Sequence, residues 1–300
     1  MKTFFIGPDG LRAGWRLLIF IAITIAELFL FGVVIHFAFP QFAALARTRP
    51  KTMVPGMTGG LEAVVLAATL IAAFIMSKIE RRPFRLYGMP VNPSTGPRFW
   101  KGAAGGFAAI SGVILVMLVF RGFHIAGIAT GGVQLLQAFV LWALAFLIVG
   151  LSEEFTFRGY MQYTLTTGIG FWPAAIVTTC LFAGAHTGNP GESPIGIFEV
   201  ALFAIVFCFV LLRTGNLWWG IGFHAAWDWG ETFFYGVPDS GLKPWHPLLA
   251  SSSSGPVWLT GGSAGPEGSV VTCIALLLVA LYIARAYPRA QYPEVTQTLT

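Results

Sequence analysis

The stretch "LSEEFTFRGY" (151–160) sets two adjacent carboxylates and an arginine behind the uncharged run "LQAFVLWALAFLIVG". Helical spacing puts Glu154 and Arg158 on one face at i, i+4, where the guanidinium can clamp the carboxylate. Glu153 then points about 100° away, free for other work. Two further motifs follow, "FAGAH" (182–186) ending in His186 and "HAAWD" (224–228) with His224 and Asp228 again at i, i+4. A carboxylate facing a histidine can take a proton from a water held between them. A second imidazole can stabilise the oxyanion that forms on an attacked carbonyl. The set suits hydrolysis of an amide. Taken singly, each motif has a plainer reading: a salt bridge at a helix end, a packed histidine, a His–Asp pair tying two helices.

Depth is what joins them. Glu153 and His186 are 33 residues apart and flank the reversal "TTGIGF" (166–171). With both flanks helical, each lies about 25 Å from the turn at 1.5 Å per residue, level with the other on antiparallel neighbours. His224 lies about eight residues beyond the turn "RTGN" (213–216). The spacing predicts convergence of the three motifs in one cavity, opening toward the cytoplasmic face. Ionisable groups at membrane depth are costly and mark functional sites.

The elements that must carry them are membrane helices. Of 300 residues, 56% are hydrophobic and 10% charged, against about 25% charged in soluble domains. Apolar runs near the roughly 20 residues that cross a bilayer recur at 17–39, 61–79, 102–120, 134–155, 171–187, 195–212, 217–235 and 269–286. The fold class expected is all-α, a polytopic membrane protein of about eight transmembrane helices around an intramembrane polar cavity. Residues 1–300 are read as one integral membrane domain. The first apolar run is longer than a signal-peptide core and is read as a retained span. Cys180, Cys208 and Cys273 lie in apolar runs and read as packers. The Gly/Ser/Pro-rich stretch 236–268 reads as a flexible exposed loop. Leaving out Arg158, alternate loops hold 12 and 5 Lys or Arg residues, which predicts both termini in the cytoplasm. The block "KIERRPFR" (78–85) weighs most in that count and suits anionic headgroups. Glu27, His36, Glu62 and Glu199 sit in apolar runs without comparable neighbours; interhelical hydrogen bonding is the plainer role, a place in the cavity lining is the alternative for one of them, and none is assigned to the site.

Other intramembrane protease chemistries fail on the residues. No H-E-x-x-H is present, "AISG" (109–112) lacks a rhomboid-type glycine, and of Asp9, Asp228 and Asp239 one falls in a span. The ordered set E-E-x-x-x-R, F-x-x-x-H and H-x-x-x-D, with "RTGNLWWGIGFHAAWDW" (213–229), resembles the CPBP family, the CAAX proteases and bacteriocin-processing (Abi) proteins; the matching core is 134–229. The resemblance implies an intramembrane endopeptidase acting on a membrane-associated peptide or protein. Glu153 with His186 would activate the water, Glu154 and Arg158 would hold the site's shape, and His224 and Asp228 would bind the oxyanion or complete the polar site. Many members carry asparagine where this chain has Asp228, so here the carboxylate orients His224 or binds metal. Glu153, His186, His224 and Asp228 form a set that suits zinc, and they serve equally in a metal-free glutamate protease. The partners implied are the bilayer of a prokaryotic plasma membrane and the peptide, with no nucleic acid. The alternative is a non-catalytic binding or immunity-type protein, or a transporter, using the same polar cluster.

Overall fold

A computed structural model describes residues 5–7, 10–48, 52–189 and 193–292. Asp9, and Lys2, Arg49 and Lys51 of the basic-residue count, lie outside the described residues, as does the segment 190–192. The main helices are α1 (Ala13–Ala38), α2 (Pro55–Glu80), α3 (Thr95–Val119), α4 (Gly132–Glu154), α5 (Gln162–Ile169), α6 (Phe171–His186), α7 (Pro194–Thr214), α8 (Trp218–Asp228) and α9 (Val270–Ala286). Each expected apolar segment falls on one of them. Among the described residues, five stretches are long and apolar enough to cross a membrane: α1, α2, α3, the continuous 132–169 and α7. α6 and α9 are apolar but shorter. The chain is a helical, polytopic membrane protein whose outer faces are apolar, as exposed Phe29, Phe37, Leu115, Leu144 and Ile176 show.

Local signals account for the helix ends. Pro55 and Pro194 sit at first-turn positions, and the Ser193 hydroxyl accepts a hydrogen bond from the Gly196 N–H to cap α7. Two helices do not simply stop. α4 runs into a π-helical segment, Phe155–Met161, in which Gly159 leaves helical angles (φ −80°, ψ −106°). α8 likewise runs into a π-helical segment, Trp229–Phe234. Each widened turn begins directly after a charged motif.

α8 is held by α3 through backbone contact. A Cβ built on Gly102 would lie 2.0 Å from the Trp219 carbonyl oxygen, and one on Gly106 would lie 2.1 Å from that of Phe223. From the other side, a Cβ on Gly222 would lie 2.1 Å from the Phe99 oxygen. In lipid, where apolar burial drives no association, such small-residue seams let helices approach and gain dispersion contact. Gly106→Ala is expected to cost about 1–3 kcal/mol, read as a lowered melting temperature in detergent. Gly112→Ala on the same helix, whose Cβ meets nothing within 4 Å, is the control and should not lower it.

The two ends of the bundle differ. One end gathers the basic loops: Arg16 pairs with Glu80 at 2.6 Å, Arg98 donates to Gln291, and the Leu217 N–H donates to the Gly88 carbonyl. The other end carries a folded cap. Here β1 (Thr52–Met53) pairs in parallel with β3 (Lys243–Pro244), and β2 (Phe123–Ile128) pairs antiparallel with β4 (Leu249–Ser253). Residues 236–268 are therefore not the loose loop their composition suggests. Strand pairing satisfies their backbone, and Asp239, Leu259 and Ala264 are buried beneath them.

Candidate active site

The end of α4, the end of α6 and the middle of α8 deliver the three motifs to one cavity of about 420 Å³. Glu153, His186, His224 and Asp228 all line it. Glu153 sits between the histidines, with Oε1 4.0 Å from His186 Nε2 and Oε2 3.5 Å from His224 Nε2. These separations are long for direct hydrogen bonds and short enough for one water to touch both sides.

Each imidazole is oriented from behind. His186 Nδ1 lies 2.8 Å from the Phe182 carbonyl oxygen one helical turn back, so Nδ1–H donates there and Nε2 faces the cavity. His224 Nδ1 lies 3.1 Å from Glu154 Oε1, which fixes that ring in the same sense. The His224 ring also rests edge-on against Phe203. Asp228 Oδ2 is 3.6 Å from His224 Nε2, too far for the orienting hydrogen bond expected of it. Orientation of His224 comes from Glu154 instead.

Exposure separates the two glutamates. The Glu153 side chain is 20% exposed, whereas Glu154 is 2% exposed. Glu154 and Arg158 do not line the cavity. Their ion pair, 3.3 Å, lies behind the wall, with the guanidinium 4.2 Å from the centre of the Phe182 ring. Phe182 thus receives Arg158 on its ring and His186 on its carbonyl.

The cavity lining draws on the capped end of the bundle. Met53, Asn189, Asp239, Ser240, Leu242 and Glu267 line the cavity, all from the capped end, and no described residue of the basic loops does. The depth count treated the turns near 170 and 215 as level. His186 is 16 residues past Gly170 and His224 is nine past Gly215, yet both meet Glu153. At 1.5 Å per residue the turns differ in depth by roughly 10 Å.

Sequence reasoning also missed carboxylates. Glu62 on α2, left without a role by the sequence, lines the cavity, as do Asp239 and Glu267 from the cap. Asp239 accepts from the Thr232 hydroxyl, and Glu267 accepts from the Ser240 N–H and hydroxyl. Burial pushes Asp239 up to about 6 and Glu267 well above the usual carboxylate range. For Glu62 the available signal was a carboxylate alone in an apolar run, which is costly without a cavity or partner.

The donor types around Glu153 suit zinc, with the Phe182 carbonyl and the Glu154 carboxylate orienting the two histidines from behind. Their positions do not. Among the described residues, no three His, Cys, Asp or Glu side chains are placed to share a metal ion.

No curated protein matches the chain. A family model described as "Type II CAAX prenyl endopeptidase Rce1-like" matches residues 135–230, about a third of the length, and these include all six motif residues. Residues 135–230 are thus similar to the Rce1-like family of type II CAAX prenyl endopeptidases.

Proposed function

We propose that this protein is an intramembrane endopeptidase that hydrolyses a peptide bond of a membrane-associated substrate with a water activated by Glu153 and His186. The observation that carries the reading is Glu153 standing between His186 and His224 inside a cavity within the helical bundle. The family match supports protease chemistry. In this reading the water bridges Glu153 and His186 Nε2, and Glu153 takes its proton as the oxygen attacks the carbonyl. With Nδ1–H bound to Glu154, a proton on His224 Nε2 makes that ring the donor to the oxyanion. Glu153 and Asp228, 3.5 and 3.6 Å from that nitrogen, balance the charge. Glu153 then returns its proton to the leaving amine. Glu154 and Arg158 are positioning residues that fix the wall carrying His224. The catalytic core is 134–229, and the rest of the chain encloses it.

The direct test is reconstitution in liposomes with a mixed membrane-peptide library, comparing the native protein with Glu153→Ala by mass spectrometry of the products. Cleavage lost in the variant supports the reading. Cleavage equal in both removes Glu153 from the chemistry, and none in either removes the endopeptidase.

Asp228→Asn is expected to keep activity within about tenfold of the native protein and to stay insensitive to chelators, because Glu154 rather than Asp228 orients His224. A metal ligand would behave otherwise, since a neutral amide binds zinc far more weakly than a carboxylate. Metal content measured on both proteins checks this; stoichiometric zinc lost in the variant would overturn it.

A further inference from the structure

The cavity contains more acid than hydrolysis needs. Besides Glu153 and Asp228, Glu62 enters it from α2, and Asp239 and Glu267 enter from the cap. No Lys or Arg is among its described lining. The nearest basic residue in sequence, Lys243, follows lining residue Leu242 but is itself exposed on β3. These three extra carboxylates all lie outside 135–230, so they are additions to the matched core.

A second feature points to a ligand. Thr156 lines the cavity one turn beyond Ser152, is 9% exposed, and its hydroxyl has no hydrogen-bond partner. A buried hydroxyl left unpaired is costly, and an extended peptide backbone passing Glu153 supplies the partner it lacks.

A C-terminal C-a-a-X substrate brings a free α-carboxylate within a few residues of the cleaved bond. At about 3.3–3.6 Å per residue, that charge comes to rest inside or at the rim of this acidic lining. Like charges brought together at such a surface repel and disfavour the wrong partner. A lysine or arginine in the same place meets the opposite field. Burial disfavours ionised Asp239 and Glu267 on their own, and an adjacent ammonium or guanidinium restores the ionised form.

Resting on the endopeptidase reading, we infer that Glu62, Asp239 and Glu267 form a cation-selecting subsite: the substrate carries Lys or Arg beside the cleaved bond, and a free C-terminal carboxylate there is rejected.

Binding tests this separately from turnover. Fluorescein-labelled, N-palmitoylated decapeptides are titrated by anisotropy against the full-length protein and Glu153→Gln in detergent. One peptide has internal Lys-Arg and an amidated C-terminus. A second has Glu-Glu at those positions, a third is neutral there, and a fourth ends in a farnesylated C-a-a-X with free carboxylate. The basic amide is expected to bind at least about tenfold tighter than the acidic and free-carboxylate peptides, less so at high salt. Glu62→Gln and, independently, Glu267→Gln should each reduce that preference several-fold. Equal affinities, or tighter binding of the free carboxylate, overturn the inference. A clear basic preference without cleavage of any peptide keeps the subsite and removes the endopeptidase reading instead.

Discussion

Replacing Glu153 with glutamine is expected to lower peptide hydrolysis by about a thousandfold, within the range that a positioned acid–base group supplies, while leaving the melting temperature nearly unchanged. The amide keeps the size and polarity of the side chain but cannot take a proton from water. Glu153 makes no direct hydrogen bond to either histidine, at 4.0 and 3.5 Å, and its side chain is accessible. Its removal therefore leaves no buried partner unpaired. Turnover of a cleaved library peptide, followed beside thermal melts in detergent, reads both halves. Activity above a tenth of native, or a protein that melts many degrees lower, contradicts the assignment.

Arg158→Met should do the reverse, with its first effect on stability. Arg158 is 1% exposed and 3.3 Å from Glu154, itself nearly as buried. Breaking a buried pair by removing one partner costs about 3–5 kcal/mol, because the remaining charge stays desolvated and uncompensated. Glu154 would then depend on His224 alone, and Phe182 would lose the guanidinium on its ring. For a chain of this size the loss corresponds to a fall in melting temperature on the order of 10 °C. Activity falls with it, since Glu154 sets the ring of His224. Arg158→Lys should land between, keeping the charge but losing the planar stacking and fork of the guanidinium. A methionine variant that melts like the native protein would show that the pair does not hold this wall.

The pairs on one helix were the legible part of the site. Glu154–Arg158 and His224–Asp228 follow from i, i+4 spacing, because a helix fixes that geometry without reference to the rest of the chain. Pairing Glu153 with His186 needed one further assumption, a tight reversal between α4 and α6, and the chain makes one at Gly170. What composition hid depended on tertiary contact. Residues 236–268 read as flexible because Gly, Ser and Pro carry little burial signal. Their order comes from pairing with 52–53 and 123–128, strands too short or too distant to announce themselves. Glu62 was set aside because its partners reach it only when α2 packs on α4. The relative depth of the turns near 170 and 215 was not legible because turn positions in sequence do not report their level in the bundle.

The two π-helical segments give the helices that carry the motifs a small reserve of length. Each widened turn takes up one surplus residue, so the helix before it and the helix after it keep their alignment although one extra residue lies between them. Removing that surplus residue would let the turn close to an ordinary α-helix with its flanks still in phase. The same deletion made in a regular turn, with nothing to absorb it, would rotate everything downstream by about 100°. A rotation of that kind ahead of Thr232 would swing the hydroxyl that holds Asp239 away from the cap. Length changes in these two helices should therefore be borne best inside 155–161 and 229–234, where the slack already sits, while individual side chains there, Arg158 first, remain as constrained as any in the site.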